Sequence, residues 1–343
     1  MSTRDRNACP ECDGLSRRRF LKGVGGAAVV AAAGSLPLFT TARAGAAPAT
    51  PAETLAAQIY GSLTPEQSKA VCFGWDHPKR LMISNNWDIV PQQIGQFYTP
   101  EQREIIMALF KSAHSEEWVA KRLRQMQDDG GGFENYTMAL FGKPGSGQFE
   151  WVLTGRHLTL RADGDSEPGL AFGGPIFYGH AAQGFNEKPD HPGNVYWYQA
   201  LRANEVFKSL DGKQREAALV AGPVPQDSAR TLLSAPKGER PGLAVEAMTP
   251  DHQALVSGVL GDLLAPMNRA DADEARRYIE AGGGVKSLHM AFYKADDLGD
   301  DGVWDVWRLE GPNMVWYFRG SPHVHTWAYV HDGKDRPAPP GPG

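Results

Sequence analysis

The sequence predicts an α+β fold of two similar halves, in each of which helices are followed by an antiparallel β-meander. Three observations support this prediction. Helix-start signals recur along the chain, pairs of strand-like segments recur after them, and triple glycines stand in matching places. Helices and antiparallel strands that occupy separate stretches of sequence are typical of α+β folds.

Helix starts share one repeated design. Residues 64–66, 99–101 and 249–251 each read Thr-Pro followed by an acid, and a looser version begins at Asp211. Thr and Asp are favoured N-caps, Pro fits the first helical position, and an acid stabilises the first turn. We therefore expect a helix after each of these signals.

Strand pairs follow the helices in both halves. Residues 136–141 and 149–155 flank a Gly-rich turn, and residues 288–293 and 304–311 flank a turn rich in Asp and Gly. We interpret the match as an internal duplication. Chance similarity between two ordinary hairpins is the alternative, because short repeats are easily over-interpreted.

Triple glycines occupy matching positions in the two halves. Residues 130–132 and 282–284 each follow a helical pattern, and glycine is favoured where a helix ends. After the first of them, Phe149, Trp151 and Leu153 alternate along one segment. This alternation predicts a half-buried strand.

The N-terminus has the features of a twin-arginine export signal. Residues 16–22 read SRRRFLK, an apolar run follows over residues 23–39, and residues 42–44 fit a small-residue cleavage site. We therefore expect recognition by the twin-arginine translocase and a periplasmic or secreted location. An uncleaved anchor is the alternative. The run is short and rich in Gly and Ala, however, whereas a span needs about 20 strongly apolar residues.

Composition divides the chain into five predicted parts. They are a signal peptide (1–44), a linker (45–54), a first half (55–200), a second half (201–334) and a disordered tail (335–343). The linker is rich in Ala, Pro and Thr, and the tail is rich in Pro and Gly. Residues 223–241 combine Pro, Ser and charge, which predicts a long surface loop in the second half.

The net charge of the chain argues against a nucleic-acid partner. The whole chain has formal charge −5 and residues 1–44 carry a net of +4, which leaves about −9 for the remainder. Binding to nucleic acid needs clustered Lys and Arg on one surface, so no nucleic-acid partner is expected. Nothing after residue 39 is apolar enough for a stable membrane span once the signal is removed.

The three cysteines offer little chemistry. Cys9 and Cys12 lie in the segment expected to be removed, so they are given no role in the mature protein. Cys72 would then be alone, which excludes an internal disulfide. It stands in an apolar segment, where a buried inert thiol is favoured over a nucleophile.

His323 and His325 are the sharpest candidates for chemistry. On a strand, residues two apart face the same side, so both imidazoles could reach one metal ion. With ten histidines in the chain, such a pair also arises by chance. The alternative is a half-exposed strand with two hydrogen-bonded histidines.

Three further residues could complete a site. His157 stands where a turn enters a strand, and His180 ends an apolar segment. Glu310 could be a carboxylate ligand or a general base, or it could be an ordinary exposed strand residue. We predict that His157 is a third metal ligand and that Glu310 or His180 is a ligand or an acid/base.

Several well-defined catalytic motifs are absent from the sequence. There is no Gly-x-Ser-x-Gly elbow, His-Glu-x-x-His helix, phosphate loop or dinucleotide fingerprint. The sequence therefore offers no direct indication of a serine hydrolase, a zincin-type protease or a nucleotide-binding enzyme.

Four blocks of sequence resemble a bacterial family known as domain of unknown function 3500. These blocks are residues 141–144, 151–160, 308–312 and 323–327, and the resemblance covers nearly all of the mature chain. The Gly-x-His-Leu element and the His-x-His-Thr/Ser element are the family's most recognisable blocks. The family carries no established activity, so the resemblance implies no substrate.

What the resemblance does imply is a grouping of His157, His323 and His325. Members commonly have two adjacent histidines in the first block, and here Arg156 stands in place of the first of them. The acidic, Asn-containing lead into the second block is shortened here to residues 319–322.

Two functions follow as hypotheses. The first is an exported metal-dependent enzyme, a hydrolase or an oxidoreductase, with one zinc, copper or iron ion, because three protein ligands and an open position suit a catalytic metal. The second is a non-enzymatic extracytoplasmic protein that binds a sugar, a peptide or another small molecule by stacking on Tyr196, Trp197 and Tyr198. These aromatics could instead belong to the core, which is the more common place for them.

Overall fold

An eleven-stranded, mostly antiparallel sheet with helices forms the described part of the protein. The structure is a computed structural model that describes residues 51–145, 147–181, 194–229, 233, 240–295, 297, 303–336 and 339–341. The predicted signal peptide, with Cys9 and Cys12, lies outside these residues. The mixture of helices and antiparallel strands confirms the α+β class.

Nine α-helices occur in the described ranges, and the predicted start signals are confirmed. The helices are α1 Pro51–Ser62, α2 Pro65–Val71, α3 Ile94–Phe97, α4 Pro100–Ser112, α5 Glu116–Gly130, α6 Trp197–Ser209, α7 Gly212–Ala218, α8 Pro250–Leu264 and α9 Arg269–Ala281. The Thr64, Thr99 and Thr249 hydroxyls and the Asp211 carboxylate each accept a hydrogen bond from a first-turn N–H. These N-caps satisfy backbone donors that would otherwise have no partner.

The strands follow in two runs. They are β1 Cys72–Phe73, β2 Thr137–Gly142, β3 Phe149–Gly155, β4 Leu158–Ala162, β5 Ile176–His180, β6 Leu219–Val220, β7 Leu243–Ala244, β8 His289–Tyr293, β9 Val306–Gly311, β10 Met314–Arg319 and β11 Val324–Val330. Strands β2 to β5 form one antiparallel meander and β8 to β11 form another. Both triple glycines lie at the C-terminal end of a helix and precede a meander, the first beginning with the last residue of α5.

The two meanders join in the middle of the sheet, where β5 pairs antiparallel with β11. The strand order is β1-β2-β3-β4-β5-β11-β10-β9-β8-β6, with β7 paired to β8 off this path. At the outer ends, β1 lies parallel to β2 and β6 lies parallel to β8. The last strands of both meanders are therefore neighbours at the centre of the sheet.

Both faces of the central strands are buried. We call one the helix face: there Tyr178, Trp316 and Val324 share a core cluster with residues of α6 and α8. We call the other the loop face: there Phe177 and Trp327 pack with residues of loop segments and neighbouring strands. Side chains that alternate along a strand therefore enter two separate apolar layers.

The prediction of a half-buried β3 is wrong, because every residue of Phe149–Gly155 is buried. Glu150, on the side opposite to Trp151, is buried in an ion-pair network rather than solvated. Its carboxylate lies 2.6 Å from Arg161 Nη1 and 2.9 Å from Arg80 Nη1. Burial of such a charge requires partners of this kind, and alternation in sequence does not reveal them.

The ends differ from the predicted boundaries. Helix α1 begins at Pro51, so residues 51–54 of the predicted linker are helical. Pro340, in the predicted disordered tail, accepts a backbone hydrogen bond of 3.0 Å from Ile83. No helix in the described ranges combines the length and apolar character needed to cross a bilayer.

Candidate metal centre

A two-residue turn between β3 and β4 positions His157. Gly155 pairs with Leu158, so Arg156 and His157 alone form the connection. His157 has φ 58°, a left-handed conformation uncommon outside glycine. Its N–H donates to the Asn85 carbonyl at 2.9 Å and its own carbonyl accepts from Gly179 N at 3.1 Å, so the unusual backbone is fixed on both sides.

The start of β11 brings the other two histidines to the same place. His323 directly precedes the strand, and His325 is its second residue and pairs with Gly179 of β5. Gly179 is required here for close approach. A Cβ on it would overlap the Val324 carbonyl oxygen and would lie 3.4 Å from Cδ2 of both His157 and His325.

The three imidazoles form a compact, nearly equilateral group. Ring centroids are separated by 5.0 Å (His157–His323), 5.1 Å (His157–His325) and 4.7 Å (His323–His325). One potential ligand atom from each residue lies within 4.8 Å of the other two. The side chains are almost closed to solvent, with His157 only 4% and the other two 5% exposed. The predicted convergence of these residues is confirmed.

The geometry fits a metal ion. Nε2 of His323 and Nε2 of His325 lie 3.0 Å apart, so two lone pairs would repel unless a proton or a cation lies between them. Two nitrogen ligands of a tetrahedral zinc, each about 2.0–2.1 Å from the ion, are about 3.3 Å apart. The observed separation differs from this value by a few tenths of an ångström, so His323 and His325 fit a shared ion, and the ligand atoms of all three histidines lie within 4.8 Å of one another.

Asp227 supports His325 from behind. Its Oδ2 lies 2.6 Å from His325 Nδ1 and 3.0 Å from Arg319 Nη1, and Trp327 Nε1 donates to Oδ1 at 2.5 Å. Burial alone would raise the pKa of Asp227, but the contacts with His325 and Arg319 outweigh it and lower the pKa. Burial also lowers the pKa of His325 to about 3, although Asp227 opposes this shift. A neutral imidazole with Nδ1–H toward an ionised carboxylate presents Nε2 as a metal ligand.

Asp129 lies close to both His157 and His180. It belongs to the last turn of α5, and its Oδ2 lies 3.1 Å from His157 Nδ1 and 3.2 Å from His180 Nδ1. Gln125 Nε2 and the Ala181 N–H also donate to this carboxylate. Burial would raise the pKa of Asp129, yet its close contacts with His157 and His180 outweigh burial and hold the pKa below its usual range.

His180 approaches the site but lies behind it. Residues paired across antiparallel strands face the same side, and His180 pairs with Val324 whereas His325 pairs with Gly179. His180 therefore lies on the helix face and His325 on the loop face. Its connection to the group runs through Asp129, so it is placed to orient that carboxylate rather than to touch a substrate.

Glu310 is not brought to the histidines. It pairs with Val315 near one end of β10, whereas His325 pairs with Arg319 at the other end. Strand spacings place the Cα atoms of Glu310 and His325 about 16 Å apart. The Glu310 carboxylate instead lies 2.7 Å from Arg308 Nε, and burial raises the pKa of Glu310.

Neither supporting carboxylate was predicted from the sequence, although one of them lies in an unusual position. Asp128 and Asp129 lie in the last turn of a helix, where the macrodipole disfavours negative charge. An acid in that position therefore indicates a specific partner. Asp227 gave no comparable signal, because it lies in the Pro- and Ser-rich segment predicted to be a surface loop.

A cavity of about 380 Å³ opens beside the histidines. Its lining is Asn85, Asn86, Arg156, His157, Asp227, Arg319, Pro322, His323 and His325. Only one of these side chains, that of Pro322, is apolar. The group can therefore be reached by a small polar molecule, as a catalytic metal requires.

Two other sequence candidates have structural roles. Burial raises the pKa of the half-buried Cys72 thiol to about 11, which disfavours the reactive thiolate. Tyr196 and Trp197 belong to the helix-face core, and Tyr198 packs against it. These aromatics are therefore core residues and form no exposed platform for a sugar or a peptide.

Comparison with known proteins gives a family but no activity. Residues 45–333 match the family described as "Protein of unknown function (DUF3500)". No curated protein and no solved structure matches the chain. The match includes all three clustered histidines and both supporting carboxylates, and it spans most of the sequence. The chain therefore belongs to the DUF3500 family.

Proposed function

We propose that this protein is an exported metal-dependent enzyme in which His157, His323 and His325 hold a single metal ion. The observation that carries the proposal is the convergence of three buried imidazoles, from turns and strands far apart in sequence, with ligand atoms within 4.8 Å of one another. A packed core has no need of such a group, because buried polar side chains are costly unless they are paired or bind a ligand.

The supporting carboxylates favour a metal over a hydrogen-bonded histidine cluster. Asp227 contacts Nδ1 of His325 and Asp129 contacts Nδ1 of His157. Where the Nδ1–H of such an imidazole donates to the carboxylate, Nε2 is left to face a metal. Three protein ligands would leave a fourth coordination position open toward the cavity. Catalytic zinc sites have such an open position, whereas structural sites have four protein ligands.

The class of reaction depends on which metal is bound. Zinc would supply an activated water for hydrolysis, whereas copper or iron would supply redox chemistry. In either case Asp129 and Asp227 would hold the imidazoles in place, and the polar lining of the cavity would orient the substrate. Nitrogen ligands alone do not select among these metals.

Elemental analysis combined with an activity assay tests the proposal. The exported protein should contain about one metal ion per chain, by analogy with other mononuclear three-histidine sites. A zinc protein should hydrolyse an activated ester such as p-nitrophenyl acetate, and a copper or iron protein should show a redox-active signal in electron paramagnetic resonance. Chelation should abolish either property and the same metal should restore it. Bound metal with neither property would indicate a non-enzymatic binding protein, and absence of metal would refute the site.

Export by the twin-arginine route is a separate proposal. Its support is the pair Arg17 and Arg18 followed by Phe20 and Leu21. This route carries folded proteins, which would let the metal be acquired before export. Replacing both Arg17 and Arg18 with Lys should leave a folded precursor in the cytoplasm. Unchanged export of that variant to the periplasm or medium would show that another pathway is used.

We also propose that the halves arose by duplication. The strand order reads alike from either end of the sheet toward its centre, and each outer strand is parallel to the first strand of its meander. In an experimental structure, residues 60–180 should superpose on residues 205–331, with β2–β5 over β8–β11. A superposition that pairs strands out of this order would contradict duplication.

A further inference from the structure

We propose that the cavity over the histidines receives a small molecule through an oxyanion, a carboxylate or a phosphate group, and that Arg156 is its recognition residue. This inference rests on the proposed metal site, because the same cavity leads to the three histidines.

The charge of the cavity wall supports an anion. Arg156 and Arg319 contribute two positive charges, and Asp227 is the one acidic residue in the lining. A metal ion held by neutral imidazoles would add further positive charge. An anionic group is attracted to such a surface, whereas a cationic ligand is repelled.

The charge on Asp227 is already compensated by its own contacts. Its carboxylate lies 2.6 Å from His325 Nδ1 and 3.0 Å from Arg319 Nη1, and it accepts a hydrogen bond from Trp327. Arg319 and Asp227 therefore form a local ion pair. Arg156 is the remaining charged group of the lining.

Arg156 is placed to meet a ligand. It is exposed, and within the described residues it lies in no ion pair closer than 4 Å. Its backbone is held by a bridge to Asn86 and by Tyr136, whose hydroxyl donates to the Arg156 carbonyl at 2.7 Å. A fixed backbone beside His157 lowers the cost of ordering the guanidinium on a ligand.

The rest of the lining fits an oxyanion better than an apolar or aromatic group. Asn86 contributes a carboxamide, Asn85 Nδ2 donates to Asp227 at 3.4 Å, and no Phe, Tyr or Trp lines the described wall of the cavity. A guanidinium binds carboxylate and phosphate with two parallel hydrogen bonds, which a neutral hydroxyl cannot reproduce. A volume of about 380 Å³ restricts the ligand to a small molecule.

Calorimetric titration of the full-length protein with acetate and with inorganic phosphate tests the inference. At least one of these anions should bind, and the tighter one identifies which oxyanion the cavity prefers. Acetamide, the neutral analogue of acetate, should bind much more weakly. Arg156→Gln should weaken anion binding about tenfold, because one charge-assisted contact is lost.

Arg269→Gln is the matched control, because Arg269 has a 96% exposed side chain on α9 and is not part of the cavity lining. It removes the same charge and should leave the affinity unchanged. Equal weakening in both variants would show a general charge effect, and no weakening in Arg156→Gln would refute the assignment.

Metal content measured in the same samples separates this inference from the proposed function. Both arginine variants should retain the metal content of the parent protein. If the parent holds no metal, the metal site fails, yet anion binding that depends on Arg156 would still support the inference. Metal-loaded protein that binds acetamide as tightly as acetate would overturn the inference and leave the metal site standing.

Discussion

The sheet contains two connections that have the same length and strand pairing but differ in backbone conformation and side chains. Between β3 and β4, Gly155 pairs with Leu158 and encloses Arg156 and His157; between β9 and β10, Gly311 pairs with Met314 around the corresponding two residues. In each turn, the carbonyl of the second residue accepts a backbone hydrogen bond from the last strand of the same meander or from the residue that follows it. The His157 carbonyl accepts from Gly179 N at 3.1 Å, and the Asn313 carbonyl accepts from His331 N at 2.9 Å.

The side chains of the second residue in these two turns make different contacts. His157 lies against two more histidines and a carboxylate. Asn313, in the corresponding position, donates from Nδ2 to the Tyr278 carbonyl at 2.7 Å, which closes a structural contact with α9. The residue opposite the turn differs too, because Gly179 faces His157 whereas His331 faces Asn313. Two connections of the same length and pairing can therefore support either a ligand group or an ordinary contact.

The strongest test of this contrast removes the ligands. Replacing His323 and His325 together with Ala should abolish stoichiometric metal, because one remaining histidine cannot hold the ion. The core should survive, since the apolar residues of β11 are unchanged. Metal content by elemental analysis and secondary structure by circular dichroism measure the two effects.

His331→Ala is the control for that experiment. It removes a histidine from the corresponding position near the other turn and should leave the metal content intact. Equal loss of metal in His331→Ala and in the double variant would show that the ion is not held by the three-histidine group.

A smaller effect is expected from the carboxylates behind the ligands. Asp129→Asn and Asp227→Asn should each weaken metal binding about 10- to 100-fold, because they loosen the orientation of His157 and His325. Asp128→Asn alters the neighbouring acid, which pairs at 3.6 Å with Arg124 on the helix surface. Competition with a metal-binding dye should rank both site variants below Asp128→Asn, and indistinguishable affinities would contradict the supporting role.

The smallest effect on metal affinity is expected from Gly179, which lies opposite the turn between β3 and β4. Gly179→Ala should destabilise the fold by about 1–3 kcal/mol, because its methyl group would overlap the Val324 carbonyl and press on His157 and His325. Metal affinity should fall less than for the carboxylate variants. Gly261→Ala on α8 meets nothing within 4 Å and should be neutral or stabilising. Thermal unfolding of both variants provides the measurement, and a Gly179→Ala protein as stable as the parent would contradict the close packing.

Local chemistry explains which parts of this protein could be predicted. The helix starts at Thr64, Thr99 and Thr249 were predictable because a cap depends on a few adjacent residues. The strand pairs were predictable from short apolar segments between turns. The grouping of His323 with His325 followed from the two-residue repeat of a strand.

The remainder depends on contacts between distant segments. Asp227 reaches His325 across 98 positions of sequence, and Arg80 reaches Glu150 across 70. No local pattern records such partners. The distance of Glu310 from the histidines could not be predicted for the same reason, because it depends on how β9, β10 and β11 pair.

X-ray absorption spectroscopy of the metal-bearing protein tests the central claim most directly. The metal edge identifies the ion, and the fine structure reports its ligands. The account predicts three imidazole nitrogens at about 2.0–2.1 Å for zinc, plus one oxygen ligand from the cavity side, and no stoichiometric metal edge in the His323→Ala, His325→Ala double variant. A coordination shell of sulfur or carboxylate oxygen without imidazole, or a spectrum unchanged in the double variant, would contradict it.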